Sequence, residues 1–577
     1  MGKRLTRIAL GVLALILLGL LAWGYNYVSP TVPRASKEWS KGHIVGRTTI
    51  SQPVAIEPDP RGGVIMVWSE LGNRLKVIKL DENGGTALDY VVQVGAWNAR
   101  DPQLELGENG RLHLLWRERG EPNATVRYLL IERDGTPVVG PRVLSDPDRW
   151  VADPPQLVSD AVGNLHAIWA DEDGIHWMAM GTDGDVLRGP TLVALGGRSP
   201  SAQIDDVGRL HLAWQEDLDR NNRGIYYLAF DPSVGEIGEP EEMAQIFRRT
   251  GQFVEGPAFG MDGEIGYVLW TVQDRRDVVS EAQYAFFPLE LPRQKRTQPL
   301  RFREGVNPSG VFPLPGQHTP LLVALSEETG TGLEVAVQIA VLIVAEDQTP
   351  EFETWGVASL LSGRRALLAP PAGAGATALQ QDQRAGAAEH LVTASRLPSI
   401  RPAIAADAHS DLHLAWLEPG GFDQYRIVYA STAEAVQENY NAFSLWDVVN
   451  PIFSGVFRLS LIVLAAGPMM VLWILLPLGE LLVFHIITGE EELRTRGAKI
   501  ALAVAILLEI ILTMALPPLQ MDLAPLLRWG IPVVSILLAG LAAWRALRRA
   551  WDSPLFEVFF VFTGVNTLLQ MALYFVL

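Results

Sequence analysis

Six tryptophans close six copies of one pattern: a proline, a turn of the D-x-x-G type, then a short apolar strand ending in the indole. The clearest copies run Pro155–Trp169, Pro200–Trp214 and Pro402–Trp416. Pro102–Trp116, Pro53–Trp68 and Pro257–Trp270 repeat it with spacings of 14, 15 and 13. Self-similarity at a fixed period of roughly 20–50 residues is the mark of a repeat architecture and argues against a single unrepeated core. From Trp68 to Trp270 the tryptophans lie 45 to 56 residues apart. The next gap, 146 residues to Trp416, has room for two copies without Trp, which Pro320–Leu325 and Arg365–Ala369 fill. The 348 residues from Trp68 to Trp416 then divide into seven steps of about 50, giving eight units.

Each unit carries further strands, such as Gly224–Phe230 and Val138–Leu144. Four short strands in roughly 40–50 residues describe one blade of a β-propeller. The sequence therefore predicts an all-β propeller over 42–433 with eight four-stranded blades; seven is also compatible, since the sixth and seventh copies lack Trp. The last repeat has three strands before a predicted helix. Val45-Gly46 and Ile50-Ser51 match the spacing of a fourth strand, so the start of the chain is expected to complete that blade and remove an exposed edge.

Two membrane regions are expected to flank the propeller. Residues 1–28 contain an uncharged apolar run, Ile8–Tyr25, preceded by Lys3, Arg4 and Arg7: a signal-anchor helix with its N-terminus in the cytoplasm. A linker (29–41) follows. After the propeller come a connecting amphipathic helix (434–455) and a bundle of four transmembrane helices (456–577), with apolar runs at Val456–Leu478, Ile500–Leu516, Trp529–Trp544 and Phe556–Leu577. The Arg-rich linkers at 490–499 and 545–549 place those segments in the cytoplasm and the C-terminus outside. The fold class is thus a multidomain membrane protein, an all-β propeller plus an α-helical bundle, with the propeller extracytoplasmic.

The absence of Cys excludes disulfides, thiolate metal sites and Cys nucleophiles. A net charge of −18 argues against a nucleic-acid partner. No phosphate-binding loop, dinucleotide fingerprint or zinc-protease motif occurs, so neither a cofactor nor a metal is expected.

Three groups of residues stand out. His113, His166, His211 and His413 recur at one strand position, as do Trp68, Trp116, Trp169, Trp214, Trp270 and Trp416. Equivalent positions in different blades cannot converge on one ion, so both sets read as structural: the imidazoles bond turn groups, the indoles pack blade on blade. The second group lies where strand one begins and strand two ends. Arg100, Asp101, Asp153, Arg198 and Arg401 stand beside Pro at strand starts, and Glu70, Glu118, Asp171, Glu216 and Glu418 lie two residues after a Trp. Both sets fall on one face. That mixed ring reads either as turn chemistry and inter-blade pairing or as a ligand mouth, whose forked Arg donors suit carboxylates and sugar acids. The third group is in the bundle. Glu509, mid-run, is matched in depth by Ser535 and Asn566, with Gln570 one turn further on. A carboxyl at bilayer depth reads as interhelical hydrogen-bonding glue, an ion or proton path, or a contact to a partner subunit.

The D-x-x-G turn followed by an aromatic-ended strand resembles propellers of the sialidase-like superfamily, over about residues 40–432. That resemblance implies the propeller fold and, as an activity, surface-tethered glycoside hydrolysis. Read from the residues alone, the chain is a membrane-anchored binding module for a ligand, glycan or protein. An accessory subunit of a membrane transport or export complex is the third reading. The expected partners are the lipid bilayer with an extracellular glycan or protein, or a membrane subunit.

Overall fold

The computed structural model describes residues 31–344, 391–447 and 471–576, apart from internal gaps of at most nine residues. The expected N-terminal helix, the strand at Arg365–Ala369 and most of the run Val456–Leu478 lie outside the described residues. The chain divides into two units, Pro30–Phe443 and the C-terminal segment from Ser444.

The first unit is a propeller of seven blades: residues 55–93, 98–143, 156–195, 197–247, 252–299, 306–344 and 400–431. Each is an antiparallel sheet, and in the first six the strands follow in chain order from the inside outward. The second strands read as unbroken apolar runs and are buried along their length; Leu210–Asp217 of blade 4 is buried through its first six residues. Both faces of such a strand are covered because each blade is clamped between two neighbours. The outermost strands face solvent, as in Val186–Leu195, which has no buried residue.

The tryptophans do the clamping. Trp116 packs among Ile65, Val67 and Val77 of blade 1. Trp169 packs on blade 2, Trp214 on blade 3 and Trp270 on blade 4. Each indole lies on the preceding blade and is at most 2% exposed. Two of these contacts settle the blade number. Trp416 of blade 7 sits among Leu322, Ala324, Ile339 and Val341 of blade 6. Trp68 of blade 1 packs on Ala415, Leu417 and Tyr429 of blade 7. The ring closes with seven sheets, leaving no space for an eighth between blades 6 and 7. The expectation of eight is corrected: the long gap before Trp416 holds one Trp-less blade plus the segment 345–390.

Closure uses the start of the chain. Gly42–Thr48 pairs antiparallel with Gln424–Ser431, His43 opposite Tyr429 and Thr48 opposite Tyr425. Thr31–Val32 adds a further short strand outside it. Two glycines let this strand fit. A Cβ on Gly42 would lie 2.7 Å from the Trp416 ring, and one on Gly46 would lie 2.5 Å from Trp68. Helix α1 (Glu434–Asn441) then packs on the closed edge: Tyr440 stacks on His43 at 3.6 Å and donates to the Gly84 carbonyl. The connecting helix is described only over those eight residues.

The second unit comprises α2 (Trp473–Thr488), α3 (Arg496–Ala515), α4 (Pro525–Arg549) and α5 (Leu555–Val576). Their shared core is rich in small residues, Ala501, Ala505, Ala539 and Ala543, against Leu502, Phe559 and Phe562. Among the described residues one helix, Arg496–Met514, is long and apolar enough to cross a bilayer. The apolar stretches Trp473–Thr488, Gly530–Arg545 and Leu555–Gln570 are shorter. Four full-length spans are therefore not supported among the described residues, and the first of the four lies largely outside them.

Candidate functional site at the mouth of the central channel

Antiparallel pairing brings the start of each inner strand beside the end of the second strand. Ala99 faces Glu118, Gly197 faces Glu216 and Ile400 faces Leu417. Just inside this rim five inner strands lose register: between Arg100 and Gln103, Arg198 and Ser201, Glu255 and Ala258, Ser309 and Phe312, and Ile400 and Ala403. Each bulge turns on a residue with positive φ. Two are glycines, Gly256 and Gly310. The others are Asp101 at 51°, Ser199 at 51° and Arg401 at 55°. A residue with a Cβ in that region carries about 1–3 kcal/mol of strain, and bulges re-aim side chains at the rims of rings. Three strained side chains at one repeated position therefore mark a place where orientation is fixed at a cost in stability.

The rim forms a polar network. Asp101 is buried; Arg117 Nη2 lies 2.7 Å from its Oδ2, and its N–H donates to Gln52 Oε1 at 3.0 Å. Burial pushes the Asp101 carboxyl up, while the charges of Arg117, Arg100 and Arg401 pull the other way. Arg401 of blade 7 extends its guanidinium to Glu255 of blade 5, Nη1 to Oε1 at 3.4 Å. Blade 6 lies between those two, so this side chain bridges across the mouth of the channel. The other Glu255 oxygen accepts from Gln273 Nε2 at 2.8 Å and from the Gly310 N–H at 3.3 Å. Asp153 accepts the Ser199 N–H at 3.0 Å and its hydroxyl at 3.2 Å. Arg198, half-buried, makes no ion pair or side-chain hydrogen bond among the described residues. Arg100, Arg198 and Arg401 thus stand at one rim, where Glu255 pairs with Arg401 and Asp101 feels the charges of Arg100 and Arg401.

The carboxylates after the tryptophans sit further out and are held within their own blades. Glu70 pairs with Arg74 at 3.6 Å, and buried Glu118 pairs with Arg127 at 2.9 Å. Asp171 accepts from His176 at 3.0 Å and from the Asp173 N–H. Glu418 accepts from Trp416 Nε1 and Ser399 Oγ, each at 3.2 Å, and lies cross-strand from buried Arg426. Glu216 has its carboxyl pushed up by burial. The mixed ring expected from the sequence is therefore an inner rim of Arg and Asp within an outer ring in which four of the five carboxylates serve intra-blade pairing.

Three of the four histidines join a turn to strand three. His211 sits between Asp205 Oδ2 at 2.9 Å and Tyr227 OH at 2.6 Å. His413 lies 3.5 Å from Asp407 and 2.7 Å from Tyr429 OH. His166 lies 3.6 Å from Asp160 and accepts from Trp177 Nε1. In blade 2 Gly107 replaces the turn Asp. His113 keeps Tyr128 OH at 2.8 Å, its Nε2 is buried without a partner, and burial lowers its pKa to about 4. The turn aspartates are thus committed to structure.

Sequence reasoning passed over Glu255, although Glu255-Gly256-Pro257 has the spacing of Arg100-Asp101-Pro102. It also passed over a pair within the channel. Glu57 and Glu105 occupy equivalent positions on the inner strands of blades 1 and 2, opposite Ile65 and His113. Ser159 of blade 3 donates to Glu105 at 2.8 Å. Burial pushes Glu105 up to about 7 against that hydrogen bond; burial, then the charge of Glu105, raises Glu57. In the helical unit, Asn566 reaches Glu509 at 3.1 Å and Gln570 reaches Asn566 at 3.3 Å. Ser535 is not part of this cluster; its hydroxyl bonds the Ile531 and Pro532 carbonyls of its own helix. Thr513 and Thr563 take its place. Thr513 was legible as the residue one helical turn from Glu509 on the same face.

No family model and no curated protein matches the chain. Solved structures with related folds include an endo-arabinase from Bacteroides thetaiotaomicron, 15% identical, covering 48% of this chain and 99% of its own at a TM-score of 0.28. The polysaccharide lyase Uly1 is 9% identical, covering 70% and 97% at 0.42. A hydrazine synthase from Kuenenia stuttgartiensis is 11% identical, covering 67% and 98% at 0.39. Likenesses this distant carry no argument about substrate or reaction, and nothing in them singles out the sialidase superfamily.

Proposed function

We propose that the chain is a membrane protein whose extracytoplasmic propeller captures a carboxylate-bearing glycan at its arginine-lined mouth, without chemistry. The observation that carries this reading is Arg401, held at φ 55° and extended across the channel to Glu255. A strained backbone that aims a 43%-exposed guanidinium side chain at a central opening serves recognition better than packing. Arg100 and Arg198 add two more planar donors at the same rim, suited to bidentate carboxylate binding. The test is an array of oligosaccharides carrying or lacking uronic or sialic acid, probed with the detergent-solubilised protein. Retention of acidic members that is lost on carboxyl reduction supports the reading; equal binding of neutral and acidic members, or none, refutes it.

The membrane assignment draws on the inverted polarity of the helical unit. Glu509, Thr513, Ser535, Thr563, Asn566 and Gln570 are all at most 2% exposed, while Ile500, Val504, Leu507 and Ile511 form an outward stripe along α3, each at least 45% exposed. Polar inside and apolar outside suits lipid, and the small residues between the helices suit membrane packing.

Hydrolysis is the second reading, and one observation favours it: Glu57 and Glu105, two channel carboxyls of which Glu105 is held near pKa 7, the range of a general acid. Turnover of an acidic glycan abolished by Glu105→Gln would establish it.

A further inference from the structure

Glu509 lies midway along α3, fully buried. Thr563 Oγ1 donates to one carboxylate oxygen and Asn566 Nδ2 to the other. Asn566 also reaches Thr513 Oγ1 at 3.5 Å, and Gln570 Nε2 donates to Asn566 Oδ1. All these hydrogen-bonding partners are neutral. The titratable groups on the packed helices whose side chains are described are Arg496 and Lys499 on α3, Glu480 and His485 on α2, Arg545 on α4 and Glu557 on α5. None of them pairs with Glu509 among the described residues. Lys499 is ten residues away, ~15 Å along the helix.

An uncompensated carboxylate in apolar surroundings is costly, and a proton is the smallest partner that neutralises it. A second observation concerns the far end of the polar chain. Gln570 is fully buried, and its Oε1 has no hydrogen-bond partner among the described residues. The line from Glu509 through Asn566 to Gln570 therefore ends on an open acceptor, a place for a donor such as water or hydronium.

We propose that Glu509 is a proton-binding site whose proton exchanges with solution along the Asn566–Gln570 line. This rests on the membrane reading above and adds a proton-linked function to the helical unit. The probe is dicyclohexylcarbodiimide, an apolar reagent that reacts with protonated carboxyls. The carboxyl oxygen bonds the carbodiimide carbon and the carboxyl proton passes to its nitrogen. The full-length protein in lipid vesicles is treated between pH 5 and 9, and peptide mapping locates the label without relying on any variant.

The expected result is labelling at Glu509 that falls about tenfold per pH unit above the pKa of the group, is absent in Glu509→Gln, and titrates at a shifted pH in Asn566→Leu. Absence of label at every pH overturns the proposal. Labelling independent of pH also overturns it, because the proton is then fixed structure. Protection by sodium at constant pH overturns it in favour of a metal cation. Retention of the chain in vesicles after an alkaline wash is read separately: its failure removes the membrane reading, while the labelling profile speaks to proton binding.

Discussion

Replacing Asp205 with Asn tests whether the turn–histidine–tyrosine link holds the blades together. The Asp205 carboxylate accepts the Val207 N–H at 3.1 Å, the Arg209 N–H at 2.8 Å, Arg209 Nε at 3.3 Å and His211 Nε2 at 2.9 Å. Burial alone would raise its pKa; the bonds from His211 and the Arg209 N–H outweigh it and hold the group at about 2, against an ordinary 3.8. At ~1.36 kcal/mol per unit that difference is about 2 kcal/mol of native stability. A depressed carboxyl contributes fully above its unfolded pKa and loses the contribution as pH falls through its folded value. The contribution is therefore intact at pH 7, fades below about pH 4 and is gone near pH 2. Asp205→Asn should lower the melting temperature of the full-length protein, followed by tryptophan fluorescence in detergent, by about 2 °C at pH 7. Parent and variant should converge towards pH 2. Equal melting of parent and Asp205→Asn at pH 7, or a gap that persists unchanged at pH 2, would refute the reasoning.

Other outcomes follow from the same contacts. Gly46→Val should cost about 1–3 kcal/mol by forcing a side chain into the Trp68 ring, and deleting His43–Ile50 should destabilise the whole propeller in the same melts. Glu418→Ala removes the acceptor of Trp416 Nε1 and Ser399 Oγ in a buried site and should cost about 1–3 kcal/mol in denaturant titration.

The repeat was legible because a clamped strand needs an unbroken apolar run and a large ring to fill the wedge between blades, and Trp recorded that need six times. The closing strand was legible from Val45-Gly46 for the same reason: the glycines answer to Trp68 and Trp416. Blade number was not, because blade 6 fills its wedge against blade 5 with Leu321, Val323 and Val344 rather than Trp, and aliphatic residues leave no spacing to count. At the rim, the sequence located Arg100, Asp101, Arg198 and Arg401 through the adjacent prolines. It could not separate them from Glu118 or Glu418, whose cross-strand partners Arg127 and Arg426 come from register. Glu255 escaped because its partner is two blades away. In the helical unit depth-matching found Asn566 and Gln570, but depth says nothing about which way a side chain faces, and Ser535 turns back onto its own helix.

The most direct test of the central claim is a calorimetric titration of an acidic oligosaccharide, taken from the array, into parent and Arg401→Gly proteins. Glycine relieves the positive-φ strain while removing the guanidinium, so the variant should fold as well as the parent or better. The account predicts that it binds at least tenfold more weakly, and that parental affinity falls as salt rises. Unchanged affinity in Arg401→Gly would contradict the assignment of the mouth as a carboxylate-binding site.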